Sequence, residues 1–370
     1  MALSTIGTNQ IASESVTVPK VADQVLSSRN LIINGSVTVN QRGTQTGIRN
    51  SFGVDRFKSA GDGAQIFTYS QSTTVPSGQG FSYSAKLDVT TADTSVAAGE
   101  YHLLVYNFEG QDLQHLKYGT SGAESVTLQF WVRSPKTGTH IVELNHQDAA
   151  YFNSQAYTIA SANTWQKVTL TFSGYQTTAI TNDNTHGFGV AWWLMAGSTY
   201  SGGTLASNTW QNTAANRAAG QVNVVDSTSN EFYITGVQLE VGDTATPFEH
   251  ENYGTTLRKC QRYLYRLETE STSGAFVSLT GWSSDATYGP ILYPVEMRSA
   301  PTLSYGAAVG DFLILSAGTN PVPTAILNNG SSKRMMELSI WSTGNVVTGR
   351  AYWARISDAT NGFIQWDAEL

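Results

Sequence analysis

From Asn30 onwards, apolar residues recur at every second position in short runs, and this alternation limits the chain to few architectures. Val126, Leu128, Phe130 and Val132 alternate with Thr127, Gln129, Trp131 and Arg133. Ala85, Leu87 and Val89 behave alike, as do Val168, Leu170 and Phe172, and Phe188, Val190, Trp192 and Leu194. Successive side chains of a strand point to opposite faces, so each run reads as a strand with one buried face. Clusters of Gly, Ser, Asn and Pro separate the runs, as at Pro76-Ser77-Gly78 and Pro135 to Gly138. Many short strands with no helical period between them predict an all-β fold, an antiparallel sandwich. No fixed-period repeat is present, which counts against a β-helix or solenoid.

A chain of 370 residues suits two or three domains. Charged residues make up 13%, about half the usual ~25%. A net charge of −7 and a pI near 5.4 argue against a nucleic-acid scaffold, which needs a basic stripe. No apolar run reaches the ~18 residues of a membrane span. The start, MALSTIGTNQ, lacks the basic-then-apolar pattern of a secretory signal. Cys260 is the only cysteine, so no intrachain disulfide forms and a thiolate metal site is disfavoured. These features fit a particle component assembled in cytoplasm and released by lysis.

Four segments follow. Residues 1–30 lack periodicity and scatter Ile6, Ile11, Val16, Val21 and Leu26 among polar residues. They read as a disordered tail or as an extended arm ordered by a partner. Residues 31–250 carry the sandwich strands. In its last strand Phe232 and Ile234 share one parity, and Val237, Leu239 and Val241 the other. The switch at Gly236 predicts a bulge. Residues 251–267 form a linking helix, with Leu257, Cys260, Leu264 and Leu267 at helical spacing over Thr255 to Leu267. Residues 268–370 resume strand patterns and form a second, smaller β-domain. It holds more aromatic and aliphatic residues than so short a domain readily covers.

The order Asn30-Leu31-Ile32-Ile33-Asn34-Gly35, then Leu128 to Arg133, Thr164 to Thr169 and Phe232 to Val241, resembles carbohydrate-binding-module-like jelly rolls. That family often has an acidic residue for a structural calcium soon after the N-G pair. Here Ser36, Val37, Thr38 and Val39 follow, so a calcium is not supported. A second resemblance is more specific. Ile234 to Glu249 and Cys260 to Tyr263 resemble a segment shared by phage tail-fibre and related virion proteins. So do Asn40 to Thr44, Val54 to Phe57, Pro294 to Arg298 and Ala300 to Thr302. This resemblance implies a virion structural protein, usually a homotrimer, that meets other virion proteins through residues 1–30 and faces the host surface. It implies no enzyme activity and no cofactor. A polysaccharide depolymerase, a head fibre or decoration protein and an isolated carbohydrate-binding module are the alternatives.

Trp192 shares parity with the core set, so its neighbour Trp193 faces water, a covering loop, another subunit or a sugar. Trp193, with Tyr200 and Trp210 from the next loop, is a candidate glycan platform, since aromatic faces stack on sugar rings. The low charge favours neutral sugars. Glu109 with Asp112, Glu143 with Asp148, and Glu249 with Glu251 read as solvated surface carboxylates rather than a glycosidase pair. No histidine pair has metal-ligand spacing. Asn182-Asp183-Asn184 reads as a turn rather than a cation site. Leu257, Arg262, Tyr263 and Arg266 are the candidate subunit or interdomain contact, because Arg and Tyr are enriched at interfaces.

Overall fold

Twelve strands between Gln45 and Val241 pair antiparallel into two six-stranded sheets. In the computed structural model the described residues are 29–268, 274–306, 308–316, 320–357 and 362–370. The arm expected over residues 1–30 lies outside them except for Arg29 and Asn30. The first sheet runs β1 (Gln45–Ile48), β4 (Ile66–Ser72), β5 (Ser84–Thr91), β12 (Glu231–Val241), β7 (Val126–Arg133), β10 (Gln166–Phe172). The second runs β2 (Ser51–Phe52), β3 (Phe57–Asp62), β6 (Tyr101–Glu109), β11 (His186–Ala196), β8 (Gly138–His146), β9 (Tyr151–Ile159). Their facing side chains, Leu87, Phe130, Val132 and Leu239 against Phe57, Tyr106, Phe188 and Trp192, form one core. Each such burial stabilises by roughly 1.5–3 kcal/mol. The all-β jelly-roll sandwich read from the alternation is the observed fold.

The bulge on β12 is present. Pairing with β7 slips between Thr235 and Gln238, and Gly236 sits at φ +61°. The Asn30 to Gly35 segment fills the slip. Val237 N donates to Gly35 O at 2.9 Å, and the Asn30 amide bridges Leu239 N and Val237 O at 3.1 Å each. A Cβ on Gly236 would lie 2.6 Å from the Phe81 ring. Gly236→Val therefore combines left-handed strain with overpacking and lowers unfolding free energy by about 2–4 kcal/mol. Urea denaturation checks this as a lower midpoint at unchanged slope.

The linking helix is shorter than its periodicity predicts. α1 (Ser198–Ser201) is a single turn in the β11 loop, and α2 spans Tyr253–Gln261. The Asn252 side chain caps α2 by accepting from Thr255 N at 2.9 Å. Leu264 and Leu267 do not continue the helix but belong to β13 (Leu264–Glu268). Tyr263 and Arg266 are thus off the helix. The reason is tertiary: every residue of β13 is paired with β21 (Phe363–Asp367), which outweighs a coincidental spacing.

Two further sheets take all their strands from residues 264–367. One is β13-β21-β16, with β16 at Thr302–Gly306. The other has six strands in the order β17 (Phe312–Leu315), β20 (Ala351–Ile356), β14 (Ala275–Gly281), β15 (Ala286–Leu292), β19 (Met335–Ser342), β18 (Pro323–Ser331). One face of this sheet packs with Trp366 and Ile364 of β21 into a second core.

Candidate functional site

The three candidate platform aromatics do not form a platform. Trp192 enters the main core, and Trp193 points to the outer face of the second sheet, as strand parity requires. That outer face is covered by its own chain. Tyr200 of α1, Leu205 and Ala218 pack on Leu103, Ile141, Ala191 and Trp193, which is only 1% exposed. The Trp193 and Tyr200 ring centroids are 5.6 Å apart. Trp210 is elsewhere, against Tyr118, Tyr175 and His146, with its Nε1 donating to Ser173 O at 2.7 Å. An indole with its N–H bonded inward and its ring among aromatics closes one end of the core.

A carboxylate holds the cover down. Glu143, on the outer face of β8, is fully buried and accepts from Arg217 Nη2 at 2.6 Å and Nε at 3.0 Å. The Arg217 guanidinium in turn lies 4.4 Å over Phe152 and 5.2 Å over Trp193. Burial would lower the Arg217 pKa, but Glu143 outweighs it and raises it. Glu143 is therefore not the solvated carboxylate its polar context implied. Asp148 accepts from Thr181 N, far from any paired chemistry.

Beside the cover, the same face keeps an open groove of about 180 Å³. Apolar Val105 and Ala191 line it together with polar Lys58, Asn107, Asn145, His186 and Arg217. Burial holds His186 neutral, its pKa pushed down to about 4. The groove offers donors and acceptors beside a small apolar surface.

One buried trio has the look of a nucleophile with its base. Ser59 Oγ lies 2.8 Å from His102 Nε2, and Gln65 Nε2 lies 2.8 Å from His102 Nδ1. Gln65 donates to Nδ1, so the ring proton sits on Nε2 and is donated to Ser59. The Ser59 proton goes to Arg49 O at 2.9 Å. The imidazole cannot take the serine proton, and all three side chains are sealed from solvent. Cys260 is buried too, and burial pushes its thiol well up, which makes it unreactive. Among the described residues, no three His, Cys, Asp or Glu side chains gather to hold a metal ion. Asp183 accepts from Thr185 N and Oγ1 within its own turn.

A further set of charged residues converges between the sandwich and the C-terminal sheets. Arg262 donates to both Glu109 oxygens, at 2.7 and 2.6 Å, and Tyr263 Oη donates to Glu109 at 2.6 Å. Burial would raise the Glu109 pKa, but these bonds hold it below the usual 4.5. Arg56, buried, pairs with Glu369, donates to Asn107 O at 2.6 Å and lies 3.4 Å over the Tyr263 ring. Arg42 pairs with Asp367 at 2.8 Å. Arg298 donates to the carbonyls of Ala368, Glu369 and Asn184. Gln41 Nε2 donates to Leu264 O at 2.9 Å.

Of the four residues expected to make a contact, Arg262 and Tyr263 do so within the chain. Arg266 stays in its own sheet, against Glu268, Gln365 and the Phe363 ring. Leu257 is half-buried on α2. Sequence reading took Glu109, which is fully buried, for a solvated surface carboxylate, and it missed the roles of Arg56 and Glu369. The available signal was charge scarcity: arginines in apolar strand contexts require buried acidic partners.

No family model matches the sequence, and no curated protein matches it. Solved structures show likenesses of architecture. The enzymatically active domain of tailspike protein 4 of bacteriophage CBA120 is 13% identical, with a TM-score of 0.30. The match covers 57% of this chain and 21% of that one, so it spans about a fifth of that tailspike domain. A sugar-binding protein from Bacteroides thetaiotaomicron is 11% identical over 58% of this chain and 100% of its own, at a TM-score of 0.33. The family 11 carbohydrate-binding module of a Clostridium thermocellum cellulosomal cellulase is 9% identical, covering 57% and 98%, at 0.27. These likenesses concern the β-sandwich and carry no statement about ligand or chemistry.

Proposed function

We propose that the chain is a structural subunit of a fibre-type bacteriophage appendage, a tail fibre in the favoured form. One observation supports this above others. Four sequence-distant motifs of the phage-fibre resemblance meet in a single joint. Gln41 and Arg42, Asp55 and Arg56, Arg262 and Tyr263, and Arg298 all lie there, bound to one another, to Glu109 or to the residues 367–369. These residues hold two β-bodies together. The Ile234 to Glu249 motif does related work. Glu240 accepts from Thr246 N and Oγ1, and Gln238 accepts from Glu249 N, which pins the connection onto the sandwich.

In this reading the mature protein is a virion component, three copies assemble, and residues 1–30 attach them to the particle. The groove beside Lys58 and Asn145 supports a second role, sugar recognition by the sandwich without cleavage. Peptide-mass analysis of purified particles, with gold labelling of a tagged chain, tests the main reading. The chain is expected on a fibre in stoichiometric amount; its absence from particles carrying the gene overturns the proposal.

A further inference from the structure

Eight of the ten large hydrophobic residues exposed among the described residues lie between Trp282 and Trp353. Six of them share the outer face of the six-stranded C-terminal sheet. Register places Leu292 opposite Met335, and Trp341 opposite Ala286 and Ala325. Trp353 lies opposite Ser278 and Leu315, and Leu327 opposite Ser339. Trp282 leaves β14 on this side and packs edge-on against Tyr288, itself opposite Thr280. The other face of the sheet is spent on the second core.

The exposed area is large. Trp282 and Leu292 are 72% and 71% exposed, and Trp353 is 59% exposed. With Leu327, Met335 and Trp341 they bare roughly 600 Å² of apolar surface, taking ~200 Å² for a tryptophan. That reaches the top of the ~300–600 Å² range of the largest patch on an ordinary monomer. With the exposed Ser278, Thr280 and Pro290 between them, the face nears the ~800 Å² that one partner gives a standard interface. At registered strand positions only Glu337 and Arg355 bring charge to it. A face of this size with almost no charge has no electrostatic complement to seek, and suits a copy of itself.

We propose that the outer face of this sheet is where a second copy of the chain packs. The inference extends the fibre reading by naming the self-contact. Particle localisation tests that reading, whereas the mass of the purified chain tests this face, so each can fail alone. Sedimentation velocity of the full chain from 1 to about 50 µM is the experiment. An oligomer is expected for the native chain, and a two- to three-fold loss of mass for Leu292→Lys and for Trp353→Lys. Both side chains are exposed in the single chain, so far-UV circular dichroism stays native. Tyr253→Lys, at an exposed aromatic outside this face, keeps the native mass. A native chain that is monomeric throughout, as it is if residues 1–28 of the same chain cover the face, overturns the proposal. So do folded Leu292→Lys and Trp353→Lys chains of native mass.

Discussion

Arg56→Ala lowers the unfolding free energy by about 3–5 kcal/mol, the usual consequence of removing one partner of a buried ion pair. Arg56 is buried under the Tyr263 ring and pairs with Glu369. Its loss leaves that carboxylate facing Arg42 alone at 3.4 Å. The joint opens, and calorimetry of the variant shows two transitions where the native chain shows one, the sandwich melting apart from the C-terminal sheets. Arg334→Ala is the contrast. Its pair with Glu296 is mostly exposed, and the change stays within about 0.5 kcal/mol. Equal effects at the two sites contradict the joint.

Acid unfolds the sandwich in two stages. His102 is pushed down to about 3 and His140 to about 4, each mainly by burial, and His186 likewise to about 4. Their unfolded values lie near 6.5, so below that pH the unfolded chain binds more protons than the folded one. The stability they contribute is complete above about pH 6.5 and falls as pH drops towards 4. Each contributes a slope of about 1.4 kcal/mol per pH unit. Together they remove on the order of 10 kcal/mol by pH 4. Glu109 acts later, because its depressed pKa lets the Arg262 contact persist until below pH 4.5. Urea midpoints between pH 7.5 and 4 measure the first stage. His102→Gln reduces the slope by about one proton; an unchanged slope removes His102 from the account.

Strands were legible because burial on one face imposes period 2, and a parity break such as Gly236 has one structural meaning. The parity of Trp192 and Trp193 also showed which of the two enters the core. What covers Trp193 was not legible, because Tyr200 and Ala218 reach it only after α1 folds back over the second sheet. Trp210 is close to Tyr200 in sequence yet packs at another end of the core, since Gln211 bridges to Phe152. Leu264 and Leu267 mimicked a helix because five-residue β13 is too short for period 2 to outweigh spacing from α2. Glu109 and Glu143 read as surface carboxylates because their arginines lie 153 and 74 residues away. Ion-pair partners that far apart leave no local pattern.

Gln41, Arg42, Arg56, Arg262 and Arg298 lock the sandwich and the C-terminal sheets into one body. Spin labels on Ser77→Cys and Asn329→Cys, both exposed, measure this directly by electron–electron distance. Cys260 is buried, so it takes no label. With labelled chain diluted into unlabelled chain, the native protein is expected to give one narrow distance distribution, and Arg56→Ala a broad one. A broad distribution in the native protein contradicts the account.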